Sequence, residues 1–510
     1  MGGERDAGPL PERRRNALLR EVDWRFLLRQ QEVPRAVDLR SEEVSPALGL
    51  VTEPAPGEPG AADLAVIGHP TRAALRSARQ ALRPGGELAS LWRVPTPAGA
   101  GRARRRLERA GFSEVRLYWP GPLPRKPEFW LPLDSPAALA HVLGLRPVQS
   151  RLQAALRPLW RAIARTGSLA PLCAVARAPG AGAERPDRAD ELESLLDGPQ
   201  SWALLTGGKR SINKVVALAF AEGREKPAAV VKLARVPEVE AGLEHEAKVL
   251  RWLEHDRPGV PGVPRLQAIA RRAGRLALAE SAIHGQPMLP VLTPETFEDF
   301  AWRVTRWLLD LAANGSSRQD AEWRARLVER PLDDFERCFG GAVGTRSIES
   351  ARRILGGLDH LPQVPEHRDC SQWNVILTAD GAPAFVDWES AEPHGLPALD
   401  LTYFLAFAAF MLDGSFESGR TRESYARLLD TASPAGTVAT ACLDQYSSRL
   451  GLEPDTLARL RLLCWIVHSL SEYRHIEMET GAPPQASDLR DGVFPGLVEE
   501  ELRRFGKGPR

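Results

Sequence analysis

Cysteine is scarce in this 510-residue sequence, and its five cysteines show no CxxC spacing: Cys173, Cys338, Cys370, Cys442 and Cys464. An odd number of scattered cysteines argues against both a disulfide framework and a zinc site, and it favours a reducing cytoplasm. The opening stretch MGGERDAGPLPERRR contains no apolar segment, so we expect no signal peptide.

An excess of charge of either sign is also lacking, because 67 Lys and Arg residues stand against 66 Asp and Glu residues. A net charge of +1 creates no overall field that would attract nucleic acid or an anionic membrane. The longest apolar run, Leu401 to Leu412, is much shorter than the roughly 20 residues that span a bilayer. We therefore predict no nucleic acid partner and no membrane span, and we interpret this run as a buried helix.

The chain is too long for one compact core, so we expect two or three domains. A Pro/Gly/Ala-rich stretch, APGAGAERPDRAD, precedes the first hairpin-like strands and marks a boundary. We predict a small Rossmann-like α/β domain at 1–177, a linker at 178–198, and a two-lobed α+β domain with an N-lobe at 199–286 and a C-lobe at 287–510.

Short apolar runs alternate with helical patterns in the first domain, which predicts a parallel α/β sheet. The segments ALRPGGELASLW and RRRLERAGFSEVRLYW resemble the last strands and helices of class I S-adenosylmethionine-dependent methyltransferases. The early Gly-rich turn that would bind the cofactor in that fold is missing. The resemblance therefore implies a truncated, non-catalytic domain, and an active methyltransferase with a regulatory second half is kept as an alternative.

The second domain begins with hairpins. Apolar runs at 202–206, 214–220 and 228–234 predict three antiparallel strands. The turn between the first two contains Gly207 and Gly208, and its backbone N–H groups could fold over phosphates.

Lys232 lies on the third of these strands among apolar neighbours, where burying an unpaired ammonium is costly. In the helix that follows, apolar residues recur at helical spacing: Val239, Leu243, Leu250 and Leu253. Glu246 falls in the middle of that apolar stripe. We therefore predict that Glu246 points inwards and pairs with Lys232.

The stretch EHRDCSQWNVILTADGAPAFVDWES, residues 366–390, places polar residues around two short apolar strands. If its Asp-Gly pair forms a two-residue turn, Asn374 faces Asp387 directly across the hairpin. Opposed side chains lie about 5 Å apart, close enough to share one divalent cation. Asp369 lies on the loop that enters the first strand. The spacing thus predicts two oxygen ligands for Mg²⁺ beside a carboxylate that can take a proton.

These motifs resemble those of the aminoglycoside phosphotransferase and choline kinase group of protein-kinase-like enzymes. The resemblance covers about residues 200–480 and rests on VVKLA, the helix of Glu246, HRDCSQWN, VDWES and LPALDLTYF. It implies ATP and Mg²⁺ as cofactors, with Lys232 on the α- and β-phosphates and held by Glu246. It also implies Asp369 as catalytic base and Asn374 and Asp387 as ligands of Mg²⁺.

The resemblance further implies that Glu280 to Ile283 form the hinge beside the adenine, and that Asp400 opens a buried helix in a structural role. Arg368 departs from it, because the family usually has Gly at that position. Asp-Trp-Glu replaces the Asp-Phe-Gly of protein kinases, and no Ala-Pro-Glu segment follows. A small alcohol is therefore favoured over a protein as acceptor.

We predict an ATP- and Mg²⁺-dependent phosphotransferase that acts on a hydroxyl group of a small molecule, fused to a degenerate methyltransferase-like domain. The alternative of a different class is an inactive kinase-fold module that binds nucleotide and regulates. Every catalytic position is filled, which favours the enzyme.

Overall fold

The structure is a computed structural model, and it describes residues 10–30, 32–40, 45–56, 58–92, 99–123, 126–145, 172–180, 192, 196, 200–207, 214–313 and 320–506. The chain forms two compact units. The first, called here the sheet unit, comprises Met1–Ala247 and Leu266–Ala282. The second, called the helical unit, comprises Lys248–Arg265 and Ile283–Arg510.

The strands of the sheet unit are β1 (Arg35–Asp38), β2 (Glu53–Pro54), β3 (Ala62–Ile67), β4 (Leu82–Trp92), β5 (Ser113–Leu123), β6 (Lys126–Pro132), β7 (Leu172–Arg177), β8 (Gln200–Leu205), β9 (Lys214–Ala221), β10 (Ala229–Ala234), β11 (Leu266–Arg272) and β12 (Arg275–Ser281). They form one twelve-stranded sheet in the order β11-β12-β10-β9-β8-β6-β5-β7-β4-β3-β1-β2. Its helices are α1 (Glu12–Glu21), α2 (Pro46–Gly49), α3 (Arg72–Ala81), α4 (Gly99–Arg109), α5 (Pro136–Leu145) and α6 (Glu240–Asp256), and α6 continues into the helical unit. This arrangement confirms the predicted mixed α/β class.

One end of the sheet is parallel. Strand β1 pairs in parallel with β2 and β3, and β3 pairs in parallel with β4 after the crossover helix α3. Strand β3 has the sequence ADLAVI, and its last four residues are buried, which is the apolar composition of a strand covered on both faces. The prediction of a parallel sheet from alternating apolar runs and helical patterns is correct for β3 and β4. It is wrong for the apolar run 115–118, because this run lies in β5, which pairs antiparallel with β6 and β7. The methyltransferase-like origin of this part stays a prediction.

The other end of the sheet is antiparallel. The three strands predicted between residues 202 and 234 are β8, β9 and β10, which pair antiparallel in chain order. Strand β12 then pairs with both β10 and β11. Because β6 pairs with β8, the sheet continues across the predicted linker 178–198, most of which lies outside the described residues.

A buried ion pair attaches the N-terminal segment to the residue that follows β10. The carboxylate of Asp23 accepts hydrogen bonds from Nε and Nη2 of Arg235 at 2.9 and 2.8 Å, and both side chains are almost completely buried. Arg25 donates to the carbonyl oxygen of Arg235 at 2.9 Å. Burial lowers the pKa of Arg25 to about 10. Two residues 212 positions apart are thereby joined in the core of the sheet unit.

The helices of the helical unit are α7 (Pro294–Ala313), α8 (Arg330–Val343), α9 (Thr345–Leu355), α10 (Leu399–Leu412), α11 (Ser415–Ser418), α12 (Thr421–Leu428), α13 (Pro434–Leu450), α14 (Pro454–Thr480), α15 (Ala486–Arg490) and α16 (Val493–Gly506). Its strands are β13 (Gln286–Pro287), β14 (Val364–Glu366), β15 (Val375–Leu377), β16 (Pro383–Phe385) and β17 (Glu392–Gly395). They form a three-stranded sheet, β13-β15-β16, and a two-stranded one, β14-β17.

Helix α10 lies at the centre of the helical unit. Every residue from Leu399 to Phe410 is buried, as expected for a helix that is apolar on all sides. This confirms that the longest apolar run of the sequence is a buried helix. Within the described part of the chain, none of the helices combines the length and apolarity that crossing a membrane requires.

Candidate active site

The lysine of VVKLA is buried in the sheet unit with two carboxylates. The ammonium group of Lys232 on β10 contacts Oε1 of Glu246 on α6, and it lies 3.4 Å from Oε1 of Glu280 on β12. The exposed fractions of the three side chains are 7%, 0% and 2%. The structure therefore contains the predicted contact between Lys232 and Glu246. Two buried carboxylates fix the position of the ammonium group.

Glu280 occupies a position that the sequence reasoning did not foresee, because that reasoning placed it at a hinge. In the sheet, Val230 pairs with Glu280 and Lys232 pairs with Leu278. Lys232 and Glu280 are thus diagonal neighbours on one face of adjacent strands, within reach of long side chains. The signal that could have found the contact is the register of β10 with β12, which the sequence alone does not fix.

Gly207 packs against the neighbouring strand β6. Its N–H group donates to the carbonyl oxygen of Glu128 at 3.0 Å, and a Cβ atom at this position would come within 2.8 Å of Cβ of Glu128. The backbone N–H of Gly207 is thus engaged with β6 in this conformation. Gly208 lies outside the described residues, and a phosphate-binding role for either glycine stays a prediction.

Asp400, at the start of α10, anchors the His-Arg-Asp loop of the helical unit. Its carboxylate accepts hydrogen bonds from the backbone N–H groups of His367 and Arg368, at 2.6 and 2.8 Å. The imidazole of His367 is buried, with Nε2 3.0 Å from the carbonyl oxygen of Val386 and its ring against that of Trp388. The loop is therefore anchored by its first two residues.

Asp369 and Asn374 meet on the exposed side of this loop. The amide nitrogen of Asn374 donates to Oδ2 of Asp369 at 2.8 Å and to the carbonyl oxygen of Asp369 at 2.9 Å. Both side chains are partly exposed. This contact orients the Asp369 carboxylate, and it leaves the amide oxygen of Asn374 as the group suited to a cation.

The hairpin register differs by one residue from the prediction. Val375 pairs with Phe385 and Leu377 with Pro383, so Asn374 stands opposite Val386, whose N–H donates to the carbonyl oxygen of Asn374 at 3.0 Å. The prediction that Asp387 directly faces Asn374 is therefore wrong.

The turn of the hairpin explains the difference. The N–H of Thr378 bonds to the carbonyl oxygen of Ala382, and the N–H of Gly381 bonds back to the carbonyl oxygen of Thr378. Three residues thus form the turn instead of two, with Gly381 in the left-handed conformation at φ 78°.

Asp387 follows the hairpin in the left-handed conformation, with φ 71° and ψ 64°. That backbone conformation is uncommon for residues other than glycine and is held here by the surrounding structure. Trp388 contributes to this support, because its fully buried indole donates from Nε1 to the carbonyl oxygen of Phe385 at 2.9 Å. The side chain of Asp387 is partly exposed.

The predicted hinge residues lie where the chain passes from one unit to the other. Glu280 belongs to the sheet unit and Ile283 begins the helical unit. Two residues later, a Cβ atom on Gly285 would come within 2.1 Å of the carbonyl oxygen of Leu377, so only glycine permits this close approach to β15. Ile283 is partly exposed, and its contact with adenine stays a prediction.

A buried strand lysine in contact with a helix glutamate, and an anchored His-Arg-Asp loop that leads into a hairpin and an aspartate, are features that phosphoryl-transfer enzymes of the protein-kinase type use. Residues 211–430 match the model of the phosphotransferase enzyme family. The match confirms the family resemblance for this segment. No curated protein matches the chain significantly.

Solved structures similar to the chain include three of related proteins. Aminoglycoside phosphotransferase APH(3'')-Id from Streptomyces rimosus is 16% identical, with 52% of this chain and 92% of that chain covered and a TM-score of 0.35. A choline/ethanolamine kinase family protein from Mesorhizobium loti is 16% identical, with coverages of 64% and 97% and a TM-score of 0.35. A thermostable mutant of aminoglycoside phosphotransferase APH(4)-Ia is 15% identical, with coverages of 62% and 100% and a TM-score of 0.40. The assignment of the segment rests on the family match alone.

Proposed function

We propose that this protein transfers the γ-phosphate of ATP, with Mg²⁺, to a hydroxyl group of a small molecule. The observation that carries the proposal is the contact between Asp369 and Asn374 on a loop that Asp400 anchors through two backbone N–H groups. The family match of residues 211–430 supports the reaction class.

Asp369 is the proposed catalytic base. Its carboxylate is oriented by the amide of Asn374 and partly exposed, so it can accept the proton of an acceptor hydroxyl and make that oxygen a better nucleophile. When bound, Mg²⁺-ATP would supply the phosphoryl group, and the metal would neutralise charge on the phosphates.

The donors available for the metal are oxygen atoms, which suit Mg²⁺. Asn374 offers an amide oxygen and Asp387 a carboxylate. Among the described residues, no group of three or more His, Cys, Asp or Glu side chains could hold a metal ion. A site with two protein oxygens is what Mg²⁺ requires when phosphates and water complete its coordination.

In the sheet unit, Lys232 is the proposed ligand of the α- and β-phosphates. Glu246 and Glu280 hold its ammonium group in place, and a lysine fixed in this way loses little freedom on binding a phosphate. The proposal places Ile283 beside the adenine. It keeps the domains that the sequence predicts, at 1–177, 199–286 and 287–510 with a linker at 178–198. It also includes a cytoplasmic location, with which the five free cysteines agree.

The proposal is tested by measuring ATP consumption with and without Mg²⁺ over a broad panel of small alcohols. We expect consumption that requires both Mg²⁺ and an acceptor, and its loss in Asp369→Asn. Asp444→Asn, at an exposed position of α13, is a matched control that should keep full activity. A wild-type chain that binds ATP but consumes none with any acceptor would support the inactive module instead.

A further inference from the structure

The helical unit contains a cleft of about 280 Å³ next to the His-Arg-Asp loop. It lies between the beginning of α8, the second half of α14 and the loop itself. Four arginines line it: Arg326, Arg330, Arg368 and Arg474. Two carboxylates also line it, Asp334 and Glu392, and two others, Asp320 and Glu366, form ion pairs with lining arginines. We call it the arginine cleft.

Ion pairs hold three of these arginines in place. Arg326 contacts Glu392 at 2.6 Å and Asp320 at 3.0 Å. Arg368 donates from Nε to Glu366 at 3.0 Å.

Arg474 lies 3.6 Å from Asp334, a carboxylate that also accepts a hydrogen bond from Arg337 at 2.8 Å. Most of the guanidinium groups are thus fixed before any ligand arrives, which lowers the entropy that binding costs.

Arg330 differs from the other three. Within the part of the chain that the structure describes, no carboxylate lies in salt-bridge contact with its guanidinium group, and the side chain is exposed. A guanidinium group presents several N–H donors in a planar fork that matches phosphate and carboxylate oxygens.

The other residues that line the cleft are apolar: Leu327, Pro331, Val467 and Leu470. A ligand that fits both the apolar and the charged side chains has an apolar body and a negatively charged group. A polycationic molecule such as an aminoglycoside would meet repulsion from Arg330 instead.

The cleft includes the residue next to the proposed catalytic base, because Arg368 lines it and immediately precedes Asp369 in the chain. We propose that the arginine cleft binds the phosphate or carboxylate group of an acceptor with an apolar body. The inference rests on the proposed function and specifies its acceptor class.

Binding is tested first, without turnover. Phenyl phosphate, inorganic phosphate and neutral phenol are titrated into the full-length chain by calorimetry, for the wild type, Arg330→Gln and Arg330→Gln/Arg474→Gln. Arg346→Gln, an exposed arginine of α9 that does not line the cleft, is the matched control.

We expect phenyl phosphate to bind more tightly than inorganic phosphate, and phenol not to bind. Each cleft variant should weaken phenyl phosphate about tenfold or more, since each removes a charged hydrogen-bond donor. No binding by the wild type, or equal affinity in all variants, would overturn the site.

Turnover is tested next with matched acceptors that have an apolar body, namely 4-(hydroxymethyl)phenyl phosphate and 4-(hydroxymethyl)phenol, 4-(hydroxymethyl)benzoate and its amide, and with an aminoglycoside. We expect the anionic member of each pair to be phosphorylated, with KM raised about tenfold in Arg330→Gln and kcat within about threefold of the wild type. Preference for neutral or cationic acceptors would overturn the acceptor role. A chain that binds phenyl phosphate through Arg330 yet phosphorylates nothing would retain the site and contradict the proposed function.

Discussion

Asp400→Asn tests the support of the His-Arg-Asp loop. The Asp400 carboxylate is only 6% exposed, and it accepts the N–H groups of His367 and Arg368. Burial, together with the nearby carboxylate of Glu366, raises the pKa of Asp400 from 3.8 to about 7. An asparagine has nearly the same shape but is neutral at every pH, and its single carbonyl oxygen replaces two carboxylate oxygens.

The size of the effect follows from proton linkage. Between its unfolded and folded pKa values, Asp400 is protonated in the folded chain and ionised in the unfolded one. The stability that this proton contributes is fully present at pH values below the pKa of Asp400 in the unfolded chain. It is lost as the pH rises through the pKa of Asp400 in the folded chain. From about pH 5 to about pH 7 the loss is about 2 kcal/mol, at 1.36 kcal/mol per pKa unit. The unfolding free energy of Asp400→Asn should not decrease in this way, because asparagine does not titrate.

The assay is urea unfolding followed by tryptophan fluorescence at several pH values, for the wild type, Asp400→Asn and the exposed control Asp444→Asn. The difference in unfolding free energy between wild type and Asp400→Asn should change by about 2 kcal/mol over this range, and the control should follow the wild type. Turnover of Asp400→Asn should fall about 10- to 100-fold, because the loop that positions Asp369 loses a hydrogen bond. Parallel stability curves, or unchanged turnover, would refute the reasoning.

Three further predictions concern single side chains. Asp369→Asn should lower turnover about 10²- to 10⁴-fold while ATP affinity by calorimetry stays within about twofold, and retained turnover would exclude Asp369 as the base. Lys232→Met should weaken ATP binding. It should also lower the free energy of unfolding in urea by about 3–5 kcal/mol, since Glu246 stays buried without its cation. Unchanged ATP affinity would contradict the role of Lys232 as a phosphate ligand. Asp23→Ala should cost about 3–5 kcal/mol in the same assay, because it leaves the buried guanidinium of Arg235 uncompensated, and a loss below about 1 kcal/mol would contradict this account.

Predictions that depend on local patterns agree with the structure. The buried helix over Leu401 to Leu412 corresponds to α10, since an all-apolar helix has only one stable location in a water-soluble fold. Glu246 was found as the partner of Lys232 because helical phase fixes which carboxylate of α6 faces the core. Asp369 was predicted to lie beside Asn374, but the hydrogen bond between the two side chains was not predicted.

Contacts between distant segments were not predictable in this way. Glu280 reaches Lys232 only through the register of β10 with β12, and Arg235 finds Asp23 across 212 positions. The predicted hairpin register is wrong by one residue for a local reason, because the turn with Gly381 in the left-handed conformation has three residues instead of two.

The sequence by itself determined the motifs on which the proposed function rests: a strand lysine, an inward glutamate, and an Asp, Asn and Asp around a hairpin. Within each of these two groups the residues are close along the chain, where helical and strand periodicity fix the direction of each side chain. Only the tertiary structure decided the second carboxylate on Lys232, the anchoring of the loop by Asp400, and the arginine cleft, whose residues span positions 326 to 474. Those arrangements depend on which surfaces pack together, and the packing is a property of the whole chain.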